Sequence, residues 1–288
     1  MLKIIKALLT ISLLSLFVSC YGSWNFLYEG NNVDKRTRSL RYISDSTDEE
    51  FQNAHISNRS GQYNVLIVSD LHFGNTKKDV NCSSIFAWLE SHQGDSDFPE
   101  FAISLGDVVD LGRQNEYDLY NEFCNRLLNY GIKVVFNTCG NHDIYQGNWE
   151  NWKSNCYPHT SLYKFKTSRF SWYSLDTASG TIGINQYNLI HANLESDTRP
   201  KIIFTHYPFV RFNVEPSNMA ETTERNLLIS DFANNNVKCV LGGHNHTQTE
   251  DNLGFMDYGI PSFGYDNVWA ILHVNEDAGT AYVEYIRG

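Results

Sequence analysis

Five short apolar runs recur along the chain beyond about residue 60, and each of them ends in polar or glycine residues. They span residues 65–68, 101–105, 133–137, 201–205 and 237–241. Runs of this length, rich in β-branched and aromatic residues and bounded by turn residues, are typical of buried strands. Between the first three lie stretches with helical spacing of apolar residues, such as Ile85, Phe86 and Leu89. The alternation of strand and helix predicts an α/β layered fold.

Three further runs alternate between apolar and polar residues with a period of two. They span residues 163–176, 269–274 and 281–286. A period of two is typical of strands with one buried face, which are most often antiparallel. These runs therefore predict antiparallel strands that form a second sheet.

The first twenty residues differ in pattern from everything that follows. Lys3 and Lys6 precede an apolar run over residues 7–18, and Ser19 and Cys20 follow that run. The segment resembles a bacterial secretory signal, and its end resembles the lipobox of lipoproteins, in which Cys20 becomes the lipid-modified N-terminus. We expect export to the periplasm or cell surface, with a lipid anchor in a bacterial membrane. Simple secretion and a buried cytoplasmic helix are the alternatives.

Composition divides the remaining chain into two parts, and its net charge argues against nucleic acid as a partner. Residues 21–60 are polar and weakly periodic, which predicts a tether or N-terminal extension ahead of a catalytic domain over residues 61–288. The chain has 22 Lys and Arg against 33 Asp and Glu, a formal net charge of -11, and it shows no basic stripe. Long nucleic acid is therefore not an expected partner.

Polar residues with oxygen or imidazole side chains follow each of the five apolar runs. The segments are Ser69-Asp70-Leu71-His72, Gly106-Asp107-Val108-Val109-Asp110, Gly140-Asn141-His142-Asp143, His206, and Gly242-Gly243-His244-Asn245-His246. In an open α/β sheet the carboxyl ends of the strands share one edge, so we expect the five segments to meet in one crevice. Glycines beside them permit close packing and positive φ where a strand breaks.

The side chains in these segments form a set of imidazole and oxygen ligands. The seven candidates are Asp70, His72, Asp107, Asn141, His206, His244 and His246. Seven ligands are too many for one ion that keeps an open position, so the sequence predicts two divalent ions, which the ligand chemistry allows to be Mn, Fe, Zn or Ni. Alternate residues of an extended segment point the same way, which would direct both members of Asp70-x-His72 to one cluster. Asp107 is the candidate bridge, since a carboxylate has two oxygens.

The five blocks in this order resemble the calcineurin-like metallophosphoesterase family, over residues 66–246. The resemblance implies an α/β fold in which a two-sheet β-sandwich is flanked by helices in four layers, α/β/β/α. It implies that Asp70, His72, Asp107 and His246 hold one metal, and that Asp107, Asn141, His206 and His244 hold the other. It also implies hydrolysis of phosphomonoesters or phosphodiesters by attack of a metal-bridging hydroxide.

Two further residues receive roles from the same resemblance. It implies that His142 faces the substrate, where an imidazole protonates the leaving-group oxygen or stabilises the phosphate, and that Asp110 orients His142. Asp143 is interpreted as a turn or cap residue. We expect a small phosphate ester as substrate. The alternative is a non-catalytic metal-binding or scaffolding module that retains the fold, and it predicts bound metal without turnover.

Overall fold

The computed structural model describes residues 33–209 and 222–288, which form two mixed sheets. The strands are β1 (Arg41–Tyr42), β2 (Gln62–Val68), β3 (Phe101–Ser104), β4 (Val135–Asn137), β5 (Tyr163–Lys166), β6 (Ser171–Ser174), β7 (Lys201–Phe204), β8 (Val237–Gly242), β9 (Thr249–Asn252), β10 (Met256–Gly259), β11 (Val268–Asn275) and β12 (Thr280–Arg287). One sheet has the order β1-β5-β6-β7-β8-β10-β9, and the other has the order β12-β11-β2-β3-β4.

Helices connect the strands. The α-helices are α1 (Val33–Arg36), α2 (Glu49–Ala54), α3 (Ser83–Ser91), α4 (Gln114–Tyr130), α5 (Trp149–Asn155), α6 (Gly183–Ser196), α7 (Thr222–Asn234) and α8 (Phe263–Asp266). Short 3-10 turns lie at Ile56–Asn58 and Tyr145–Gly147. Within the two described stretches, no helix has the length and apolar character needed to cross a bilayer.

Three apolar clusters place the two sheets face to face with helices outside. Along β2, Val65 and Ile67 join the cluster between the sheets, whereas Leu66 and Val68 point the other way and pack with α3 and α4. The seven-stranded sheet is also covered on both faces, because Ile203 and Val240 pack with α6 and α7 on its outer face. Both faces of the central strands are therefore buried, which explains why they read as continuous apolar runs. The predicted four-layer α/β/β/α architecture is confirmed.

The strand runs were located correctly in the sequence, but their distribution between the sheets was not. The hairpin β5-β6 lies in the seven-stranded sheet, and the hairpin β11-β12 lies in the five-stranded sheet. The alternating runs therefore do not build a sheet of their own. Likewise β2, β3 and β4 belong to one sheet, and β7 and β8 to the other. Periodicity reports which faces of a strand are buried, not which neighbour the strand pairs with.

The N-terminal extension is packed into the fold from residue 33 onward. Strand β1 pairs with β5 at the edge of the seven-stranded sheet, and Phe51 and Ile56 are buried in the cluster between the sheets. The guanidinium of Arg36 in α1 makes two hydrogen bonds of 2.7 and 2.8 Å to the carboxylate of Asp176. The proposed signal segment, Cys20 and residues 21–32 lie outside the described residues.

Candidate metal centre

The predicted ligands follow β2, β3 and β4 in one sheet and β7 and β8 in the other, and they meet at one end of the sandwich. Three groups of side chains have their ligand atoms within 4.8 Å of one another: Asp70, His72 and His246; His72, Asp107 and His142; and Asp107, His206 and His244. The expected convergence therefore occurs between two facing sheets and not along the edge of one.

The first group surrounds the carboxylate of Asp70, which is fully buried. The Oδ1 atom of Asp70 lies 3.3 Å from Nε2 of His246 and 4.0 Å from Nε2 of His72. The two imidazole Nε2 atoms are 3.4 Å apart. The Oδ1 atom makes no well-formed hydrogen bond within the described residues. A buried carboxylate oxygen without such a bond, facing two imidazole nitrogens, has the chemistry of a cation site.

The third group surrounds Asp107, which is 2% exposed. Its Oδ2 atom lies 3.3 Å from Nε2 of His206, and that nitrogen lies 3.1 Å from Oδ1 of Asn141. The Nδ1 atom of His206 lies 2.8 Å from the carbonyl oxygen of Leu105. Donation by Nδ1 to that carbonyl leaves Nε2 as the ligand atom. Asp107 belongs to two of the three groups, as a bridging carboxylate would.

The electrostatics of the site also favour a cation. Burial by itself raises the pKa of Asp107, but the imidazoles of His206 and His142 reverse that effect and hold the pKa well below its usual range. Burial lowers the pKa of His206, and Asp107 more than offsets this and raises it to about 9. The imidazole of His206 thus offsets the charge of Asp107, as a bound cation would. The donor set fits two divalent ions.

Five of the seven candidate ligands have a backbone conformation that side chains other than glycine rarely adopt. Their φ values lie between 50° and 66°, in the left-handed region, at Asp70, His72, Asp107, His244 and His246. The expectation of an extended Asp70-x-His72 segment was therefore wrong. Asp and His tolerate this region better than branched residues, and the tight bends bring both members of each pair to the site.

Two glycines allow the ligand segments to approach each other closely. A Cβ atom at Gly140 would collide with the carboxylate of Asp107, and one at Gly243 would collide with the hydroxyl of Ser69. Neither glycine has a positive φ. Their role here is the close approach, whereas Gly106, with a φ of 94°, has the positive φ that the sequence suggested for these positions.

The structure gives Asp143 a larger role than a turn or cap. Its buried carboxylate accepts backbone hydrogen bonds from Asp107 at 3.0 Å, Val109 at 3.2 Å and Gly140 at 2.8 Å. Burial and the nearby Asp107 raise the pKa of Asp143 to about 7. The side chain joins the segments after β3 and β4, which each carry candidate ligands. No sequence signal identifies it, because two of its three partners are backbone groups of another loop.

His142 is held in a different way from the one expected. The carbonyl oxygen of Asp110 lies 2.7 Å from Nδ1 of His142, whereas the carboxylate Oδ1 is 3.9 Å away. That Oδ1 atom lies 3.6 Å from Nδ1 of His72 and accepts a 3.0 Å hydrogen bond from Asn75. The main chain of Asp110, and not its carboxylate, therefore makes the short contact that orients His142.

No sequence pattern indicated that Tyr265 and Asn75 belong to this region. The ring of Tyr265 stacks on the imidazole of His246, with 5.1 Å between the ring centroids and 25° between the planes. Asn75 links the hydroxyl of Tyr265 to Asp110. Both residues lie in segments without metal-ligand spacing, so only the fold brings them to the site.

Comparisons with known proteins gave one matching family model and several similar solved structures. A family model described as calcineurin-like phosphoesterase matches residues 63–248. A comparison with curated protein sequences gave no match. Among solved structures, a dimetal phosphatase from Danio rerio is similar, with a TM-score of 0.58 and 13% identity over 74% of this chain and 93% of that one.

Two other similar structures are larger than this chain. One is a purple acid phosphatase from yellow lupin, with a TM-score of 0.57 and 13% identity over 80% of this chain and 54% of that one. The other is a putative 5'-nucleotidase from Staphylococcus aureus, with a TM-score of 0.51 and 12% identity over 78% of this chain and 53% of that one. The chain thus spans about half the length of these two relatives. At such identities the likeness establishes the fold alone.

Proposed function

Since the chain belongs to the calcineurin-like phosphoesterase family, we propose that it is a metal-dependent phosphoric ester hydrolase with two divalent ions. One observation carries the proposal. Two buried carboxylates, Asp70 and Asp107, each face imidazole nitrogens from the opposite sheet at 3.3 Å. Such a concentration of buried charge is costly unless cations neutralise it.

The residues divide into two ligand sets that share Asp107. Asp70, His72, Asp107 and His246 hold one ion, and Asp107, Asn141, His206 and His244 hold the other. When bound, the ions supply Lewis acidity, which lowers the pKa of a coordinated water and neutralises charge on the phosphoryl oxygens. The protein contributes the fixed positions of the ligands, since the buried backbone contacts of Asp143 and Leu105 hold two of them in place.

In this proposal His142 donates a proton to the leaving group. Donation by Nδ1 to the carbonyl of Asp110 leaves Nε2 available to hold a proton or to accept one. The side chain is 29% exposed, so that a substrate can reach it. A proton at Nε2 passes to the departing oxygen as the phosphorus-oxygen bond breaks, which avoids release of an alkoxide. Small phosphate monoesters or diesters are the proposed substrates.

The test compares the protein with Asp107→Asn on an aryl phosphomonoester and an aryl phosphodiester in the presence of manganese. We expect turnover to fall about 100-fold or more in the variant, together with bound manganese, because the shared ligand is lost. Asp95→Asn is the matched control, since Asp95 is an exposed carboxylate away from the site. It is expected to behave as the unaltered protein.

The same measurements distinguish a phosphoric ester hydrolase from a non-catalytic metal-binding module. Manganese bound by the unaltered protein without hydrolysis of either ester would contradict the proposed activity and support a non-catalytic metal-binding module. If one ester is turned over faster than the other, the ratio of kcat/KM values assigns the monoester or the diester as the substrate class.

We further propose that the protein is exported and anchored through lipid at Cys20. The supporting pattern is the basic, apolar and Ser-Cys order of residues 1–20. Incorporation of labelled palmitate into the unaltered chain, and its loss in Cys20→Ser, is the expected result in a bacterial host. Label in neither chain would contradict the anchor.

A further inference from the structure

The short helix α8 is fixed directly to the segment that carries Asp70. The backbone N–H of Phe263 donates to the carbonyl of Ser69 at 2.9 Å, and the N–H of Gly264 and the hydroxyl of Ser262 both donate to the carbonyl of Asp70, at 3.1 and 2.7 Å. A Cβ atom at Gly264 would collide with the carbonyl of Leu71. The helix therefore has a defined position relative to the candidate metal centre.

This position places Tyr265 at the mouth of the site. Its ring contacts two candidate ligands, with centroid distances of 5.1 Å to His246 and 5.4 Å to His72. The residue is 40% exposed, and it packs on one buried imidazole, that of His72, and on one that is partly exposed, that of His246. Burial of the ring alone does not explain why a tyrosine, with its hydroxyl, stands here.

Asn75 determines whether the hydroxyl of Tyr265 accepts or donates a hydrogen bond in its contact with the amide. The Oδ1 atom of Asn75 accepts a 2.9 Å hydrogen bond from the backbone of Lys77, which fixes the orientation of the amide. Its Nδ2 group then donates to Tyr265 Oη at 2.7 Å and to Asp110 Oδ1 at 3.0 Å. The tyrosine oxygen acts as acceptor in this contact, so its own hydrogen remains available as a donor, and accepting a hydrogen bond strengthens it in that role.

The surroundings of this donor suit an anion. Within the described residues, no protein group accepts the hydrogen of the Tyr265 hydroxyl. The ammonium of Lys78 lies 5.6 Å from the centroid of the Tyr265 ring and donates to the carbonyl of the same residue. A neutral donor and a cation thus stand together beside the ligands His72 and His246, on the exposed side of the site.

We propose that Tyr265 is a substrate-binding residue, whose hydroxyl donates a hydrogen bond to a phosphoryl oxygen, and that Asn75 is a positioning residue that holds it in the donor orientation. The inference rests on the proposed function, since it assigns Tyr265 to the phosphoryl group of that substrate. It predicts that recognition of the phosphoryl group on the His72 and His246 side depends on a group that is not a metal ligand.

The test measures binding of inorganic phosphate to the manganese-loaded protein by calorimetry, with manganese content determined on the same samples. Tyr265→Phe is expected to weaken phosphate binding about tenfold, because one hydrogen bond to a charged oxygen is lost. Manganese content should not change, since the ring that contacts His246 is retained. Tyr282→Phe is the matched control, because Tyr282 is 58% exposed on β12.

Two variants test the role of Asn75. Asn75→Ala is expected to weaken phosphate binding several-fold, and Asn75→Ala combined with Tyr265→Phe should bind no more weakly than Tyr265→Phe alone. If the effects multiply instead, Asn75 acts independently of Tyr265 and the positioning role is wrong.

Two results would overturn the role of Tyr265. One is equal phosphate affinity of Tyr265→Phe and the unaltered protein, which includes the case in which neither binds phosphate. The other is loss of manganese in Tyr265→Phe, which would show that the hydroxyl supports the metal ligands. Failure of the proposed function has a different signature. Neither ester would then be hydrolysed, even if phosphate binding depended on Tyr265.

Discussion

At the scale of single residues, the site depends on side chains that bind the backbone as well as on those that face the metal positions. The carboxylate of Asp143 accepts hydrogen bonds from segments that are up to 36 residues away. Because those donors are buried main-chain groups, they have no water to replace a lost partner. The positions of Asp107 and Gly140 therefore depend on a residue that is not a candidate ligand.

Asp143→Asn should destabilise the protein and weaken metal binding. The asparagine amide has one oxygen where the carboxylate uses two, so it leaves at least one buried N–H without an acceptor, at a cost of about 1–3 kcal/mol. Denaturant unfolding and manganese titration would measure both effects. The control is Asp95→Asn. A variant as stable as the unaltered protein, with equal manganese affinity, would contradict this role for Asp143.

The candidate ligands could be predicted from sequence because their chemistry and spacing are local properties. Asp70 and His72 follow an apolar strand directly, and the same holds for His206. The roles of Asp143, Tyr265 and Asn75 could not be predicted, since each depends on atoms from distant segments. The contact between Asp110 and His142 shows the same limit, because the sequence does not indicate whether the carboxylate or the carbonyl of Asp110 makes the contact.

At the scale of elements, the first described helix is held by a buried ion pair. Arg36 and Asp176 have side chains that are 1% and 0% exposed, and the hydroxyl of Ser161 also donates to Asp176 at 2.6 Å. Helix α1 has only four residues, too few to be stable alone. Its attachment to the domain therefore depends on tertiary contacts, of which the ion pair is the most specific.

Arg36→Ala should lower the free energy of unfolding by about 3 kcal/mol, because it leaves the buried carboxylate of Asp176 without its cation. Denaturant unfolding followed by tryptophan fluorescence would measure the change. Arg38→Ala removes an arginine two residues away that is exposed, and it is expected to have little effect. Equal losses in the two variants would indicate that the ion pair contributes no specific stabilisation.

The strands themselves were predictable, whereas their assignment to sheets was not. Strands β2, β3, β7 and β8 are buried on both faces, and this burial appears in the sequence as continuous apolar runs. Pairing depends on the path of the chain through helices and loops, which leaves no periodic mark. The hairpins β5-β6 and β11-β12 look alike in sequence and still belong to different sheets.

At the scale of the whole molecule, the candidate ligands join two sheets that also pack against each other through the apolar cluster between them. Asp70, His72, Asp107 and Asn141 come from the five-stranded sheet, and His206, His244 and His246 come from the other. Bound ions would therefore act across the sandwich, in addition to the packing of the cluster between the sheets.

Removal of metal should lower the melting temperature of the whole protein by about 5 °C or more, because ions that bind only the folded state stabilise it. A chelator added during thermal unfolding, followed by manganese in excess, would show the fall and its recovery. Asp107→Asn should respond little to either addition. An unchanged melting temperature in the unaltered protein would contradict a link between metal and fold.

The left-handed backbone at five candidate ligands has a consequence for how such a protein can change through evolution. Each of these residues holds a conformation that costs on the order of 1 kcal/mol or more for a side chain other than glycine. A mutation from ligand to glycine removes this strain together with a polar group that needs a metal. In the metal-free protein, selection for stability alone would therefore not preserve the ligands. Descendants that keep the fold and lose the chemistry are only one substitution away, whereas the return requires restoring a strained residue.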